Sequence, residues 1–353
     1  MAFYKLIPSQ ISKISPPADP YFREAWAFCV AWAEGQESFV LHTSGSTGTP
    51  KPICLTRAQM QASAAMTQQA IGLQKGQTAL VCLNTAYIAG TMMLVRGMVI
   101  GLTMYVVPPS ANPFEHLPTE ISVDFAAFVP LQLQTALDLS LHARLNALRT
   151  IIVGGAPVHR GLLSQIQALS VSVYSTFGMT ETVSHVALQR LNGAEASETY
   201  QLLPRIEAST DERGCLRVRG PVTAQEWVQT NDLIEWIDSQ HFRITGRADN
   251  IINSGGVKIQ LEKVEEAIGR IWGDWGRFFV WWQPDDTLGQ KLVLVVENAP
   301  NLDFENVKKQ LKTTLSSYEI PKKIYSVEKF AETPTGKIDK HATFVRIVNQ
   351  INP

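Results

Sequence analysis

The segment Thr43–Lys51 reads Thr-Ser-Gly-Ser-Thr-Gly-Thr-Pro-Lys and contains no apolar side chain. Apolar runs flank it at Ser38–Leu41 and at Ile53–Leu55, which predicts a loop held between two strands. Glycines free backbone N–H groups to curl around an anion, and the hydroxyls and the terminal lysine add donors. The segment therefore predicts a phosphate-binding loop. The alternative is an ordinary polar turn, because Ser, Thr, Gly and Pro are common in turns.

The segment is not the P-loop of nucleoside triphosphatases, because Pro50 and Pro52 flank Lys51 where that motif needs Gly and Ser or Thr. Ser44–Lys51 instead matches the pattern Ser-Gly-Ser/Thr-Thr-Gly-x-Pro-Lys at every specified position. It resembles the phosphate loop of the adenylate-forming enzymes, which include acyl-CoA and aryl-CoA ligases, luciferases and peptide-synthetase adenylation domains. The resemblance implies that ATP contacts Thr43, Ser44, Gly45, Ser46, Thr47, Gly48, Thr49 and Lys51.

The bulk composition fits a cytoplasmic enzyme. The chain has 353 residues, of which 45% are hydrophobic and 18% charged, enough for about two domains. A net charge of −1 gives no sign of nucleic acid or an acidic membrane surface as partner. Residues 1–10 lack a signal-peptide pattern, and no uncharged apolar stretch reaches the ~18 residues of a membrane span. The four cysteines are scattered, which disfavours a disulfide framework or a zinc site.

Short apolar runs alternate with helical patterns along the first part of the chain, which predicts an α/β domain with buried parallel strands. Thr56 is a candidate N-cap for a helix that carries Met60, Ala64, Thr67 and Ile71 on one face. Strands are predicted at Ala79–Leu83, Met104–Val107, Phe125–Val129, Thr150–Val153 and Val171–Tyr174. Further helices are predicted at Tyr21–Trp32, at Thr91–Ile100 and from the end of the third strand to about Leu145.

The last hundred residues or so predict a smaller α+β unit. One helix is predicted from the shared face of Leu261, Val264, Ile268 and Ile271, and a second helix is predicted at Phe304–Leu315. Strands are predicted at Arg277–Gln283, Lys291–Val296 and Lys323–Val327, with Trp281 and Trp282 as core. With the resemblance, the fold class is α/β: an ATP- and acid-binding domain over residues 1–248, and a mobile C-terminal lid over residues 249–353.

Two further motifs follow predicted strands, where α/β sheets bind ligands. Thr150–Val153 continues into Gly154-Gly-Ala-Pro157, and a plain tight turn is the alternative. The resemblance implies that Gly155, Ala156 and Pro157 lie against adenine. In the stretch Phe177-Gly-Met-Thr-Glu-Thr182, it implies that Phe177 stacks on adenine, that Gly178 contacts ATP, that Thr180 lies near the α-phosphate and that Glu181 holds Mg²⁺. Phe177 replaces the family tyrosine, and helix-start chemistry is the alternative for Thr-Glu.

Three motifs in the second half match the family in order. Thr230-Asn-Asp232 departs from Thr-Gly-Asp in its middle position, and the resemblance implies that Asp232 binds the ribose hydroxyls. Gly246-Arg247-Ala-Asp249 implies that Arg247 contacts ribose or phosphate and that Asp249 is the hinge. Ser254-Gly255-Gly256-Val-Lys258 matches the loop that enters the site for thioester formation.

Lys337 lies in Pro-Thr-Gly-Lys, which matches the family motif Pro-x-Gly-Lys. Taken alone, a lysine on such a turn is a solvated side chain. The resemblance implies that Lys337 bridges the attacking carboxylate and the α-phosphate and stabilises the charge that develops there. Lys337, Thr180 and Glu181 are the predicted catalytic residues.

Arg96 is the only charged residue in the apolar stretch Leu83–Leu102. A guanidinium there is costly unless it meets an anion, pairs with an internal acid or reaches solvent, and the sequence does not decide among these. The stretch resembles the 2-succinylbenzoate–CoA ligases of menaquinone biosynthesis, with Gly90 and Arg96 at the family spacing and Tyr87 in place of a histidine. The resemblance implies that Arg96 grips a second carboxylate and that Thr182 and Ser184 supply pocket hydroxyls.

The predicted function is an AMP-forming acid–thiol ligase that uses ATP, Mg²⁺ and CoA on an aromatic dicarboxylic acid. The alternatives are another aryl- or acyl-CoA ligase, an adenylation domain serving a carrier protein, and a non-catalytic nucleotide sensor. Only 42 residues precede the phosphate loop, fewer than usual in the family. Because every catalytic motif is kept, an active enzyme is expected, either as a minimal form or completed by homodimerisation.

Overall fold

The computed structural model describes residues 2–42, 52–271, 276–299, 303–333 and 338–351. The chain divides into two compact units. The first consists of Met1–Ser209, Arg217–Val228 and Trp236–Arg243, and the second of Thr210–Leu216, Gln229–Glu235 and Ile244–Pro353. The boundary between residues 248 and 249 stays a prediction.

The strands as far as residue 247 are β1 (Tyr4–Leu6), β2 (Ser38–His42), β3 (Pro52–Thr56), β4 (Thr78–Val81), β5 (Thr103–Val106), β6 (Phe125–Phe128), β7 (Thr150–Val153), β8 (Ser172–Gly178), β9 (His185–Arg190), β10 (Tyr200–Leu202), β11 (Glu207–Thr210), β12 (Cys215–Arg219), β13 (Val228–Trp236) and β14 (His241–Arg247). The helices are α1 (Pro20–Ala33), α2 (Arg57–Ile71), α3 (Ile88–Ile100), α4 (Pro130–Asp138), α5 (His142–Asn146) and α6 (Arg160–Ile166).

The large sheet has twelve strands in the order β1-β5-β4-β6-β7-β8-β9-β10-β14-β13-β12-β11. Its centre, from β5 to β8, is parallel, and β1 and β9 pair antiparallel at either side. Alternate residues of these strands face opposite apolar clusters, because side chains alternate across a strand. Leu80 and Ala126 pack with α4, α5 and α6, whereas Ala79 and Phe125 pack with α1 and α3. The predicted α/β class with buried parallel strands is confirmed.

The second unit contains a smaller sheet, made of β15 (Ile251–Ser254), β16 (Val257–Gln260), β17 (Phe278–Asp285), β18 (Gly289–Glu297) and β19 (Lys323–Val327). Its helices are α7 (Leu261–Ile271), α8 (Phe304–Leu311) and α9 (Lys340–Ile351). The strand order is β16-β15-β18-β17, and β19 pairs in parallel with β18. Leu261, Val264 and Ile268 of α7 pack on this sheet, and Trp281 and Trp282 lie half-buried against the same core.

Two predicted helices are shorter in the structure. The helix expected to run to Leu145 ends at Asp138, because the chain turns at Ser140, whose φ of 57° lies in the left-handed region. The helix expected to end at Leu315 ends at Leu311. Leu315 still packs in the core, just before a turn in which Ser316 binds Glu319. Neither of these helix ends has a glycine or proline that would mark it in the sequence.

Candidate active site

The strands that flank the predicted phosphate loop are well defined. β2 and β3 pair antiparallel, and the pairing runs from Ser38 opposite Thr56 to His42 opposite Pro52. Thr56 then caps α2, since its hydroxyl accepts from the backbone N–H of Gln59 and its own N–H donates to the Gln59 side chain. The phosphate-loop residues Thr43, Ser44, Gly45, Ser46, Thr47, Gly48, Thr49 and Lys51 lie outside the described residues, as does Lys337.

The predicted adenine contacts share one edge of the sheet. Parallel β7 and β8 end side by side, so Gly155, Ala156 and Pro157 emerge beside the end of the strand that carries Phe177. Gly154 has no room for a side chain, because a Cβ there would lie 2.1 Å from Thr176 Oγ1. Half-buried Phe177 meets Tyr200 and Phe242 edge-on, with ring centroids 5.9 and 5.7 Å apart. An aromatic plate thus lies at the carboxyl ends of parallel strands, where such sheets bind ligands.

The connection from β8 to β9 carries the predicted phosphate and magnesium groups. Thr180–Thr182 forms a single 3₁₀ turn, in which Thr180 is half-buried and Glu181 is exposed. The Thr182 side chain is buried. Its hydroxyl accepts from the Met179 N–H at 3.0 Å and lies 2.7 Å from the Ser184 carbonyl oxygen. Thr182, predicted as a pocket hydroxyl, therefore holds the connection in shape from within.

Val183 is strained at the centre of this connection. Its φ of 65° and ψ of −52° are those of a γ-turn, and the Ser184 N–H donates to the Thr182 carbonyl at 2.7 Å. Such a conformation costs about 1–3 kcal/mol and is unusual for a β-branched, fully buried residue. Gly178 allows the return, since a Cβ there would lie 2.2 Å from the Ser184 carbonyl oxygen. The turn aims Ser184 and His185 into the interior.

Arg96 is buried at 2% exposure on α3 and faces neutral groups alone among the described residues. Its Nη2 donates to Ser184 Oγ at 2.9 Å, its Nε lies 3.4 Å from Thr67 Oγ1, and its Nη1 contacts the sulfur of Met93 at 3.8 Å. Burial lowers the pKa of Arg96 to about 10. The two alternatives for this arginine fail here: it does not reach solvent, and none of its described partners is a carboxylate.

His185 completes this buried polar cluster. Its Nδ1 lies 3.5 Å from Arg96 Nη2, and its Nε2 lies 3.0 Å from Thr67 Oγ1. Burial, and the charge of Arg96, hold the pKa of His185 well below its ordinary value. We use the name "arginine cluster" for Arg96, Thr67, Ser184 and His185. The structure thereby brings together Arg96 and Ser184, which the sequence placed in one pocket.

The other two predicted acid-pocket residues lie at the start of α3. Tyr87 is half-buried at the N-cap position. Gly90 is buried, and a Cβ there would lie 2.3 Å from the Asn84 carbonyl oxygen and 2.7 Å from that of Leu83. The glycine therefore lets the segment after β4 pass directly over the helix, which is a structural reason for a glycine at this position.

In the second unit, three predicted residues form one ion-pair cluster. Arg247 donates to Asp232 at 3.0 Å and to both oxygens of Asp249 at 2.9 and 2.8 Å. Burial raises the pKa of the Asp232 carboxyl, and Arg247 opposes that shift. Burial also acts to raise the pKa of Asp249, but the hydrogen bonds from Arg247 outweigh it and the pKa is lowered. Asn231 also donates to Asp249, at 3.3 Å.

The predicted thioester-step loop is a tight hairpin within the same unit. β15 and β16 pair antiparallel through Ser254 and Val257, so Gly255 and Gly256 form a two-residue turn. Both glycines have positive φ, 59° and 83°, which this turn geometry requires. Lys258 is exposed on β16.

Glu181 is the carboxylate that the resemblance predicts to hold the magnesium ion. Among the described residues no group of three or more His, Cys, Asp or Glu side chains could hold a metal on its own. Magnesium bound to nucleotides takes one or two carboxylates, together with waters and phosphate oxygens, so an exposed lone Glu181 fits that mode. Within the described part of the chain, no helix is both long and apolar enough to cross a membrane.

Sequence reasoning missed the roles of Thr67 and His185. Thr67 lies on the face of α2 that the sequence predicts to be apolar. Its hydroxyl is the available signal, because a buried hydroxyl needs a partner. His185 follows the Glu181 motif by four residues and lies on a buried strand. Its partner on α3 is distant in sequence, so no local pattern could reveal the contact.

The chain belongs to the AMP-binding enzyme family, whose family model matches residues 17–211, more than half of the chain. It is thus a member of the adenylate-forming superfamily of AMP-forming CoA ligases.

A crystal structure of an acyl-CoA synthetase (AMP-forming)/AMP-acid ligase II-like protein from Dyadobacter fermentans is 49% identical. The match covers 98% of this chain and 99% of that chain, with a TM-score of 0.69. A probable 2-succinylbenzoate–CoA ligase from Mycobacterium tuberculosis is 28% identical over 89% of this chain and 85% of its own length. A 2-succinylbenzoate–CoA ligase from Listeria monocytogenes is 25% identical over 88% and 70%. O-succinylbenzoate coenzyme A synthetase from Bacillus subtilis, solved with ATP and magnesium, shares the fold with a TM-score of 0.71.

Proposed function

We propose that this protein activates 2-succinylbenzoate with Mg·ATP and transfers the acyl group to CoA, as a cytoplasmic enzyme of menaquinone biosynthesis. The curated relatives named 2-succinylbenzoate–CoA ligases support the proposal from outside the structure. The observation that carries it is Arg96, buried on α3 with neutral described partners alone.

A buried guanidinium whose described partners are all neutral is the feature that favours a dicarboxylic acid. Burying an uncompensated charge costs several kcal/mol, and a carboxylate brought by the substrate would offset that cost. A hydrogen bond from an ionised donor to a carboxylate is also shorter and stronger than one between neutral groups, which helps to fix the orientation of the acid. Ser184, 2.9 Å from Arg96 Nη2, is placed to donate its hydroxyl to the same carboxylate.

In the first step, an oxygen of the other carboxylate attacks the α-phosphorus of ATP, the bond to the β-phosphate oxygen breaks, and pyrophosphate leaves. Thr180 would donate to the α-phosphate, and Lys337 would bridge that phosphate and the attacking carboxylate. Glu181 would hold magnesium together with phosphate oxygens, and the ion would neutralise charge on the nucleotide. Phe177 and residues 154–157 would hold the adenine, and Asp232 the ribose.

In the second step, the thiolate of CoA attacks the acyl carbon of the adenylate, the bond to the AMP oxygen breaks, and AMP leaves. The resemblance assigns Asp249 as the hinge about which Lys337 withdraws and the Gly255-Gly256 turn enters. No covalent bond to the enzyme forms, so positioning and charge neutralisation supply the rate enhancement.

The test is AMP release with a panel of acids. The panel contains 2-succinylbenzoate and 4-oxo-4-phenylbutyrate, which lacks the ring carboxylate. We expect CoA-dependent AMP release, with the diacid preferred. Arg96→Ala should lower kcat/KM for the diacid by about 10–100-fold, as expected for a lost charge-assisted hydrogen bond, and leave the mono-acid much less affected.

Other outcomes distinguish the alternatives. A mono-acid preference that Arg96→Ala leaves unchanged would identify another aryl- or acyl-CoA ligase. ATP binding without pyrophosphate release from any acid would identify a nucleotide sensor.

A further inference from the structure

The arginine cluster contains a histidine that the proposed chemistry does not use. His185 is buried on β9, at the point where the connection from β8 returns into the sheet. It touches Arg96 with one ring nitrogen and Thr67 with the other. Both contacts are buried. Which ring nitrogen carries the proton therefore decides whether every polar atom of the arginine cluster has a hydrogen-bond partner.

Thr67 fixes the position of that proton. Its hydroxyl has one hydrogen, which it donates to the Ser63 carbonyl one turn back on α2 at 3.0 Å. The oxygen must therefore accept from His185 Nε2, 3.0 Å away, so Nε2 carries the proton. Arg96 requires the same tautomer, because a hydrogen on Nδ1 would face the guanidinium N–H groups 3.5 Å away.

The groups around the ring also require it to be neutral. α3 contributes the cation Arg96, whereas α2 and the connection contribute the hydroxyls of Thr67 and Ser184. None of the described groups in contact with the ring is an acid. A second proton would place two cations side by side in the interior.

We infer that His185 is a positioning residue, which as the neutral Nε2–H tautomer holds Arg96 in place for the second carboxylate of the substrate. His185 Nδ1 accepts from Arg96 Nη2. Thr67 contacts the opposite side of the ring, at Nε2, and also faces Nε of Arg96. This fixes one side of the guanidinium and leaves Nη1, which contacts the Met93 sulfur, to donate to the carboxylate. The inference rests on the proposed function, because it takes a diacid as the substrate.

A pair of variants at this position separates hydrogen bonding from bulk. Glutamine can accept from Arg96 and donate to Thr67, as the histidine does, whereas leucine can do neither. We expect His185→Leu to raise KM for 2-succinylbenzoate about tenfold, with a smaller effect on kcat, and His185→Gln to recover most of that loss. KM for 4-oxo-4-phenylbutyrate should change little in either variant.

The tautomer itself can be measured without substrate. In protein labelled with ¹⁵N-histidine, two-dimensional NMR distinguishes the ring nitrogens, and the signal missing from His185→Gln identifies His185. We expect the Nε2–H form, unchanged across the neutral pH range. An Nδ1–H form, or a ring that titrates near the ordinary histidine value, would overturn the inference even if His185→Leu fails to fold.

The two proposals fail in different ways. If wild-type enzyme shows no preference for the diacid, the proposed function is wrong and the role of His185 toward the substrate is wrong with it. If wild type prefers the diacid and Arg96→Ala removes the preference, but His185→Leu matches wild type, the inference about His185 alone is wrong.

Discussion

Arg96 is a buried charged residue whose described partners are hydroxyls, an imidazole and a thioether. Such a residue is expensive for folding, and proteins retain residues of this kind where function needs them. The same side chain should therefore reduce stability and provide selectivity, and a single substitution can test both.

Arg96→Met should raise the melting temperature, because methionine fills similar space without a buried charge. A gain of about 1 kcal/mol corresponds to roughly 1–2 °C for a chain of this size. Thermal unfolding without ligand measures it, with Arg144→Met, a half-buried arginine that donates to the Leu117 and Pro118 carbonyls, as the control. A melting temperature below that of wild type would mean that Arg96 has a compensating partner in the fold.

Because His185 is buried and neutral in the native state, we expect the protein to lose stability in acid. Burial and Arg96 keep the native pKa well below the ordinary value of about 6.5, so below that pH the unfolded chain binds a proton that the native chain does not. Stability should fall as the pH drops from about 6.5, by up to about 1.4 kcal/mol per pH unit for this group.

The measurement is the melting temperature of wild type and of His185→Gln from about pH 7.5 to about pH 5.5. Other titrating groups are common to both proteins, so the difference isolates His185. The variant should lose less stability than wild type. Parallel curves would show that His185 does not stay neutral in the native state.

At the scale of helices and strands, two helical glycines differ in whether the fold requires a residue without a side chain. Gly90 in α3 lies against the carbonyls of Leu83 and Asn84, where a Cβ would clash at 2.3 Å with backbone. Gly161 in α6 is exposed and has an ordinary φ, and a Cβ there would lie 3.4 Å from the His159 ring. The two glycines share a helical setting but differ in the space around them.

Gly90→Ala should destabilise the protein by about 1–3 kcal/mol and weaken acid binding, since the start of α3 must move away from the segment over it. Gly161→Ala should be neutral or stabilise by up to about 1 kcal/mol, as expected for alanine in a helix. Urea unfolding with AMP-release kinetics measures both effects. Equal behaviour of the two variants would contradict the close approach at Gly90.

Most strands and helices were predictable because their signals are local. The apolar runs at Phe125–Phe128 and Thr150–Val153, and the capping pair Thr56 and Gln59, act within a few residues. The split at Ser140 and the γ-turn at Val183 had no such signal. A serine in the left-handed region and a valine in a strained turn are imposed by surrounding structure, which a local pattern does not contain.

In the candidate site, the residues within motifs were predictable from the sequence, but the contacts between distant positions were not. Arg96, Ser184, Asp232 and Arg247 fall within motifs, so resemblance identified them as candidates. The contacts of Arg96 with Thr67 and His185 join positions 29 and 89 residues apart, and only the folded chain shows them. Residues 43–51 and Lys337 lie outside the described residues, so their roles stay predictions.

At the scale of the whole molecule, the proposed function predicts that the two chemical steps depend on different residues of the second unit. If Lys337 serves only adenylation, Lys337→Ala should lower the rate of acyl-adenylate formation by about 100-fold or more. It should leave thioester formation from added acyl-adenylate nearly unchanged. Pyrophosphate release and CoA consumption, measured separately, report the two steps.

Lys340→Ala is the matched control. Lys340 is a half-buried residue of the second unit that pairs with Glu265 at 2.5 Å and lies 5.7 Å from the centre of the Phe279 ring. Its loss should affect stability slightly and neither chemical step. If the Lys337 and Lys340 variants lose adenylation equally, the lysine has no special role in the first step.

The most direct measurement for the central claim is a crystal structure with a non-hydrolysable mimic of the 2-succinylbenzoyl adenylate. The carboxylate that is not joined to the nucleotide should lie within hydrogen-bond distance of the Arg96 guanidinium, while His185 and Thr67 keep their contacts. A carboxylate directed to solvent, with Arg96 still held only by neutral groups, would contradict the account.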